Sequence, residues 1–174
     1  DWNAALRAAP TSWVTIAHQD DIYLPSFSRL VTRSLLGCEN ALLCFTAYRE
    51  IAGKVARGIN LNIAIKYALI KLAFLTADTI GSRRRKLMLL AFGSPIPCPS
   101  VTLNLSKIGT FQFSTEHKVN LDWDAWLNLA RQEGYFIRLR EILMYHRIHD
   151  SSETRPFALV LSQIYKLSYR SNIS

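Results

Sequence analysis

Residues 12–25 read SWVTIAHQDDIYLP. The apolar run Trp13–Ala17 has the length and composition of a buried strand. It ends directly in His18, Gln19, Asp20 and Asp21, an imidazole and two adjacent carboxylates. Neighbouring carboxylates repel each other, so they need a cation, a proton or ample water. A hard divalent ion such as Mg²⁺ or Mn²⁺ takes oxygen ligands and keeps positions open for phosphate oxygens. Two aspartates closing a strand therefore suggest a metal–diphosphate site. The competing reading is a helix cap, because Asp before a helix accepts backbone N–H bonds. Taken alone, these residues favour the cap.

On the N-terminal side, Trp2, Ala5, Leu6 and Ala9 fall at helical spacing, and Pro10 ends the helix. The chain does not begin with Met, and this opening resembles the interior of a domain, so a preceding portion is expected. On the C-terminal side, SFSRLVTRSLLG (26–37) forms a helix with Phe27, Leu30, Val31 and Leu35 on one face and Gly37 at its end. ALLCFTAYREI (41–51) is a strand. Strand, helix, strand is the unit of a parallel α/β sheet.

Residues 59–81 are mostly apolar but interrupted by Lys66 and Lys71. Two lysines near the middle argue against a transmembrane span and for an amphipathic helix. The basic run Arg83–Lys86 follows. It reads first as a solvated basic turn between core helices, and second as a helix lying on anionic lipid together with residues 59–90. Pro95, Pro97 and Pro99 exclude helix and hand over to a strand, Ser100–Leu105. Residues 106–120 read as loop plus a short strand. LDWDAWLNLARQEG (121–134) is a helix closed by Gly134, with Trp123, Trp126, Leu127 and Ala130 on one face. Residues 135–149 supply one or two strands, and 159–171 an amphipathic helix.

The chain has 174 residues, about half of them apolar, enough for one packed domain. Its formal charge of +8 suggests an anionic partner: nucleic acid, a membrane surface or a phosphorylated small molecule. The positive charge is scattered and no nucleic-acid motif occurs, so nucleic acid is not expected. Cys38, Cys44 and Cys98 are odd in number and lack zinc spacing, which favours reduced thiols in the cytosol. Asp1–Pro10 lacks the order of a signal peptide. The expected location is cytoplasmic, with attachment to the cytoplasmic face of a membrane under the lipid reading.

Two further constellations carry chemistry. Asp122 and Asp124 open the Trp-rich helix, where the helix dipole favours negative charge. A carboxylate flanked by tryptophans also suits a general base of tuned pKa. Trp123 and Trp126 could stack on the apolar face of a sugar, although buried core is the commoner role of tryptophan. In YHRIH (145–149), strand alternation puts Tyr145, Arg147 and His149 on one face. An imidazole there could complete a metal shell, and the arginine could pair with phosphate.

Taken in order, SWVTIAHQDDIYLPSF (12–27) and DWDAWLNLARQEGYFIRLREILMYHRIHDSSET (122–154) resemble the family-two glycosyltransferases of GT-A fold. Those have a strand ending in an Asp-x-Asp-type motif, a later acidic pair opening a helix, and a closing Tyr-Arg-x-His before a Ser/Thr-rich loop. The resemblance covers most of the chain, loosely over 55–95. It implies an α/β fold: a partial GT-A, Rossmann-like mixed sheet flanked by helices, without the N-terminal nucleotide-binding part, over one truncated domain, 1–174. It implies inverting transfer of a sugar from a nucleotide-diphospho-sugar to an acceptor hydroxyl, in glycan or polysaccharide biosynthesis. Asp20 matches the metal-binding aspartate, Asp21 the neighbouring acid on metal and donor, and Asp122 the catalytic base. His18 stands where many members have the first aspartate, which contacts the donor nucleotide, and Leu121 where glutamate is common. Arg147 and His149 match the late motif, with His149 toward the metal and Arg147 toward the diphosphate. Ser100, Trp123 and Trp126 would meet the acceptor. The implied cofactor is Mg²⁺ or Mn²⁺; the implied partners are a nucleotide-sugar and a glycan or lipid-linked acceptor. A non-catalytic binding module that keeps the fold is the alternative.

Overall fold

A computed structural model describes residues 1–52, 55–56, 61–115 and 120–147. Its centre is two long parallel strands, β3 (Ala41–Ala52) and β7 (Tyr135–Arg147). Their register runs from Ala41 opposite Tyr135 to Ile51 opposite Arg147, with irregularities between Thr46 and Tyr48. Both are rich in β-branched, aromatic and aliphatic residues, as strands covered on both faces must be. Cys44 and Ile137 belong to one apolar cluster; Phe45 and Phe136 belong to the other. The period-two alternation of a strand sends successive side chains to opposite layers.

Around this pair the order is β1 (Trp13–Thr15), β6 (Val101–Asn104), β3, β7, β2 (Ile22–Tyr23). Two short strands complete the sheet: β4 (Val55–Ala56) pairs with β3, and β5 (Thr79–Ile80) with β7. All pairings except β3–β7 are antiparallel. The fold is therefore mixed α/β. The expected strand–helix–strand unit is present, but its strands are not neighbours: β6 is inserted antiparallel between β1 and β3. β1 and β3 still run the same way, as two successive antiparallel pairings require.

The helices are α1 (Trp2–Ala8), α2 (Phe27–Leu35), α3 (Leu61–Phe74), α4 (Arg83–Leu89), α5 (Leu105–Ile108) and α6 (Leu121–Ala130). Asp1 caps α1, its Oδ1 accepting from the Asn3 and Ala4 backbone N–H groups at 2.9 and 3.3 Å. Phe27, Val31 and Leu35 of α2 cover one face of the sheet. The larger cluster on the other face takes Leu6, Phe74, Leu89, Trp126 and Leu129. Where a short strand was expected within 106–120, the chain forms α5 instead, and the described part of the segment holds no strand. The tail 159–171 lies outside the described residues. No helix among the described residues is long and apolar enough to cross a membrane.

The basic run is split by the fold. Arg83 and Arg84 are exposed, whereas Lys86 is fully buried. Its Nζ donates to Gln132 O at 2.6 Å and Gly134 O at 2.9 Å and lies 5.4 Å from the Phe136 ring centre. Lys86 thus fastens the α6–β7 connection to α4, and its burial lowers its pKa. Gly134 is required beside it. Its φ of +131° suits glycine alone, and an added Cβ would stand 2.5 Å from Asn40 O.

Candidate functional site

The turn that follows β1 is held from beneath by the end of β7. The β2–β7 ladder sets Ile22 opposite Tyr145, which brings the next residues of β7 under Asp20 and Asp21. His146 Nδ1 lies 2.9 Å from Asp21 Oδ1, and the Arg147 backbone N–H donates to the same oxygen at 3.0 Å. Arg147 Nε donates to the Asp20 carbonyl at 3.0 Å. The Asp21 side chain is wholly covered, with 0% exposure. Its other oxygen, Oδ2, is buried without a hydrogen bond and lies 4.0 Å from His18 Nδ1. Trp2 of α1 stacks on the His18 ring, centroids 5.6 Å apart. His18 Nε2 is likewise buried without a hydrogen-bond partner.

Metal-ligand atoms of His18, Asp20 and Asp21 all lie within 4.8 Å of one another. A covered carboxylate oxygen with no donor is costly unless something positive meets it. Two carboxylates and an imidazole form a donor set that Mg²⁺ or Mn²⁺ accepts. The residues present therefore fit such an ion. His18 joins both aspartates in this group; His149, expected as a ligand, lies outside the described residues. A groove of about 340 Å³ lined by Trp13, Phe27, Val31 and Leu35 belongs to the α2 face. It is remote in character from this polar cluster, being largely aliphatic and aromatic.

Asp122 enters from α6. Its Oδ1 accepts from the Trp123 backbone N–H at 2.8 Å. Burial pushes the carboxyl above its usual value; the Trp123 N–H, the Lys66 charge, its own N–H and His18 pull it back. The start of α6, the turn after β1 and Lys66 of α3 thus share one electrostatic environment. Burial lowers the pKa of Lys66, opposed by Glu50 and Asp122. Glu50 is itself buried and stands opposite His146 in the β3–β7 register. Asp124 accepts from Asn128 Nδ2 at 3.2 Å. Both members of the acidic pair are half-buried, and Asp122 is the one in electrostatic reach of Lys66 and His18.

Tyr23 ties the turn to the proline-rich segment. Its hydroxyl donates to Pro99 O at 2.6 Å, and burial, then Asp21 and Cys98, raise its pKa. The serine beside it is not available to an acceptor. Ser100 is fully buried and its hydroxyl donates to Pro97 O at 2.8 Å. Trp126 is also corrected: it has 0% exposure and its indole N–H donates to Ile96 O at 3.2 Å, so it offers no face for stacking. Trp126 is core because the inward face of α6 joins the larger apolar cluster; Ser100 is held inside by the short turn Cys98–Ser100. Trp123 is partly buried and donates to Leu90 O at 2.8 Å.

Three neighbours of this site were not among the site residues expected from the sequence: His146, Lys66 and Glu50. Strand alternation drew attention to Tyr145, Arg147 and His149, yet it is His146, on the other parity, that meets Asp21. Arg147 reaches the turn through its backbone N–H and through Nε, on a backbone carbonyl. Lys66 carried a signal, a charge inside an apolar run, but only the fold supplies its partners. Compared with models of known families and with curated proteins, the chain matches none.

Proposed function

We propose that this chain is a metal-dependent, inverting glycosyltransferase acting on a nucleotide-diphospho-sugar. The observation that carries the proposal is the clamped His18–Asp20–Asp21 cluster in electrostatic reach of a half-buried carboxyl, Asp122. The ordered motifs of the sequence support the same reading.

His18, Asp20 and Asp21 would hold the divalent ion. When bound, the ion supplies positive charge against the diphosphate leaving group. His146 and the Arg147 N–H orient Asp21, so that its second oxygen keeps one direction. Asp122 takes the proton from the acceptor hydroxyl as that oxygen attacks the anomeric carbon. The new C–O bond forms on the face opposite the departing diphosphate, which inverts the configuration. Burial raises the proton affinity of Asp122 and so strengthens it as a base; Lys66 keeps that shift in bounds. Arg147, committed to the turn, acts here as a positioning residue.

The test measures nucleoside diphosphate release from a panel of nucleotide-sugars with Mn²⁺ or Mg²⁺ and candidate acceptors. The expected result is metal-dependent release that falls roughly 10²–10⁴-fold in Asp122→Asn. Equal release by wild type and variant would remove Asp122 from the reaction. Nucleotide-sugar binding with no release under any acceptor would assign the non-catalytic module instead.

A further inference from the structure

We propose that the outer face of α3, together with the arginines of α4, is a docking surface for an anionic lipid bilayer. The proposal is independent of the transferase reading. A helix of a small globule normally buries one stripe and solvates the other. α3 does not follow that rule. Ala73 and Phe74 are buried in the larger apolar cluster, and Ile63 is buried on the same side. The opposite side also carries leucines: Leu61 is 76% exposed and Leu72 55%, and Leu75, just past the end of the helix, is 54% exposed. Ala64 and Ala68, both exposed, lie between them at helical spacing. The helix is apolar on both sides, and among the described residues nothing covers the outer one.

Charge identifies the occupant. α4 packs against α3 and begins with Arg83, Arg84 and Arg85, while Lys71 stands on the exposed side of α3 itself. None of the three arginines makes an ion pair among the described residues. The nearby acid, Asp78, is taken by Arg138 and Arg140 at 3.5 and 2.6 Å. Exposed leucines with Lys71 among them, on a helix packed against one that opens with three arginines, match an interface where acyl chains lie beneath anionic headgroups. A second copy of this chain fits less well. A two-fold pairing would press each basic surface against its own like charges. At 14 residues, α3 is too short to span a bilayer and would lie on it.

The experiment is co-sedimentation of the full chain with phosphatidylcholine vesicles, with and without phosphatidylglycerol. Binding is expected only to the anionic vesicles, and is expected to weaken as salt is added. Replacing Arg83, Arg84 and Arg85 together by Gln should lower the partition coefficient roughly 100-fold, about fivefold per side chain. The triple Lys replacement should keep it. The pair Leu72→Ser and Leu75→Ser should lower it about tenfold or more. All five positions are exposed or half-exposed, and an unchanged far-ultraviolet spectrum shows that each variant folds. Equal binding to neutral vesicles, or no effect of either set, overturns the proposal. So does a concentration-dependent dimer, without vesicle binding, that the leucine pair abolishes.

Discussion

His146 Nδ1 stands 2.9 Å from Asp21 Oδ1, across 125 residues of chain. The contact joins the end of β7 to the carboxylate pair after β1. It also leaves Asp21 Oδ2 as the oxygen aimed at His18. Removing the imidazole should loosen that aim without emptying the proposed ligand set, His18, Asp20 and Asp21. His146→Ala is expected to weaken Mn²⁺ binding roughly 10–100-fold, as loss of an orienting partner does elsewhere. Titration calorimetry checks this. An unchanged affinity would mean that Asp21 is held by the Arg147 N–H alone.

Asp21→Ala should act more strongly than His146→Ala, because it removes a proposed ligand and strands two donors. The His146 ring and the Arg147 N–H would both lose their acceptor. We expect loss of measurable Mn²⁺ binding and destabilisation of about 1–3 kcal/mol in urea unfolding. A variant as stable as wild type would show that water replaces the carboxylate at this turn.

With Asp122 as the proposed base, the pH dependence of turnover follows from its carboxyl. Its base form is the carboxylate, and burial raises its pKa above the usual 3.8. The acidic limb of kcat/KM should therefore lie above the ordinary Asp range, with activity rising as pH climbs through the shifted value. Stability changes in the opposite sense. The folded chain holds this proton more tightly than the unfolded chain, so its stabilising contribution is complete below 3.8 and is lost as pH rises through the folded value. In Asp122→Asn both dependences should vanish together. A limb that survives the substitution would belong to another group.

Lys86 makes a prediction about stability alone. Lys86→Met keeps the volume but leaves the Gln132 and Gly134 carbonyls without their ammonium donor. The expected cost is about 1–3 kcal/mol in chemical denaturation. Gly134→Ala should cost at least as much, since it combines a φ of +131° with a Cβ 2.5 Å from Asn40 O. A neutral outcome at Gly134 would require the 131–135 connection to shift.

The three cysteines are free thiols, and two are buried. Burial pushes the Cys44 thiol up to about 11, with Ser34 partly offsetting it. At pH 8 it is therefore neutral and slow toward iodoacetamide, since the thiolate is the nucleophile. Cys38, partly exposed, should be alkylated first. Mass spectrometry of the native chain checks the order; prompt labelling of Cys44 would contradict it.

Local elements were legible because their signals are local. The Trp2–Leu6 spacing, the α2 face of Phe27, Val31 and Leu35, and the strand over 41–51 each encode a periodicity that a short window contains. The turn after β1 was legible for the same reason: two adjacent carboxylates are conspicuous in any window. The short α5 was not, because one helical turn carries too little periodic signal to outweigh its surroundings.

What the sequence by itself determined is where most of the helices and strands lie and that residues 18–21 and 122 are candidates for chemistry. Tertiary structure alone decided that β6 runs between β1 and β3, that His146 rather than its neighbours meets Asp21, and that Ser100 and Trp126 are core. The physical reason is register. A shift of one residue along β7 turns every side chain to the other face. That register is set by packing against β2 and β3, strands remote in the chain, and no local pattern records it.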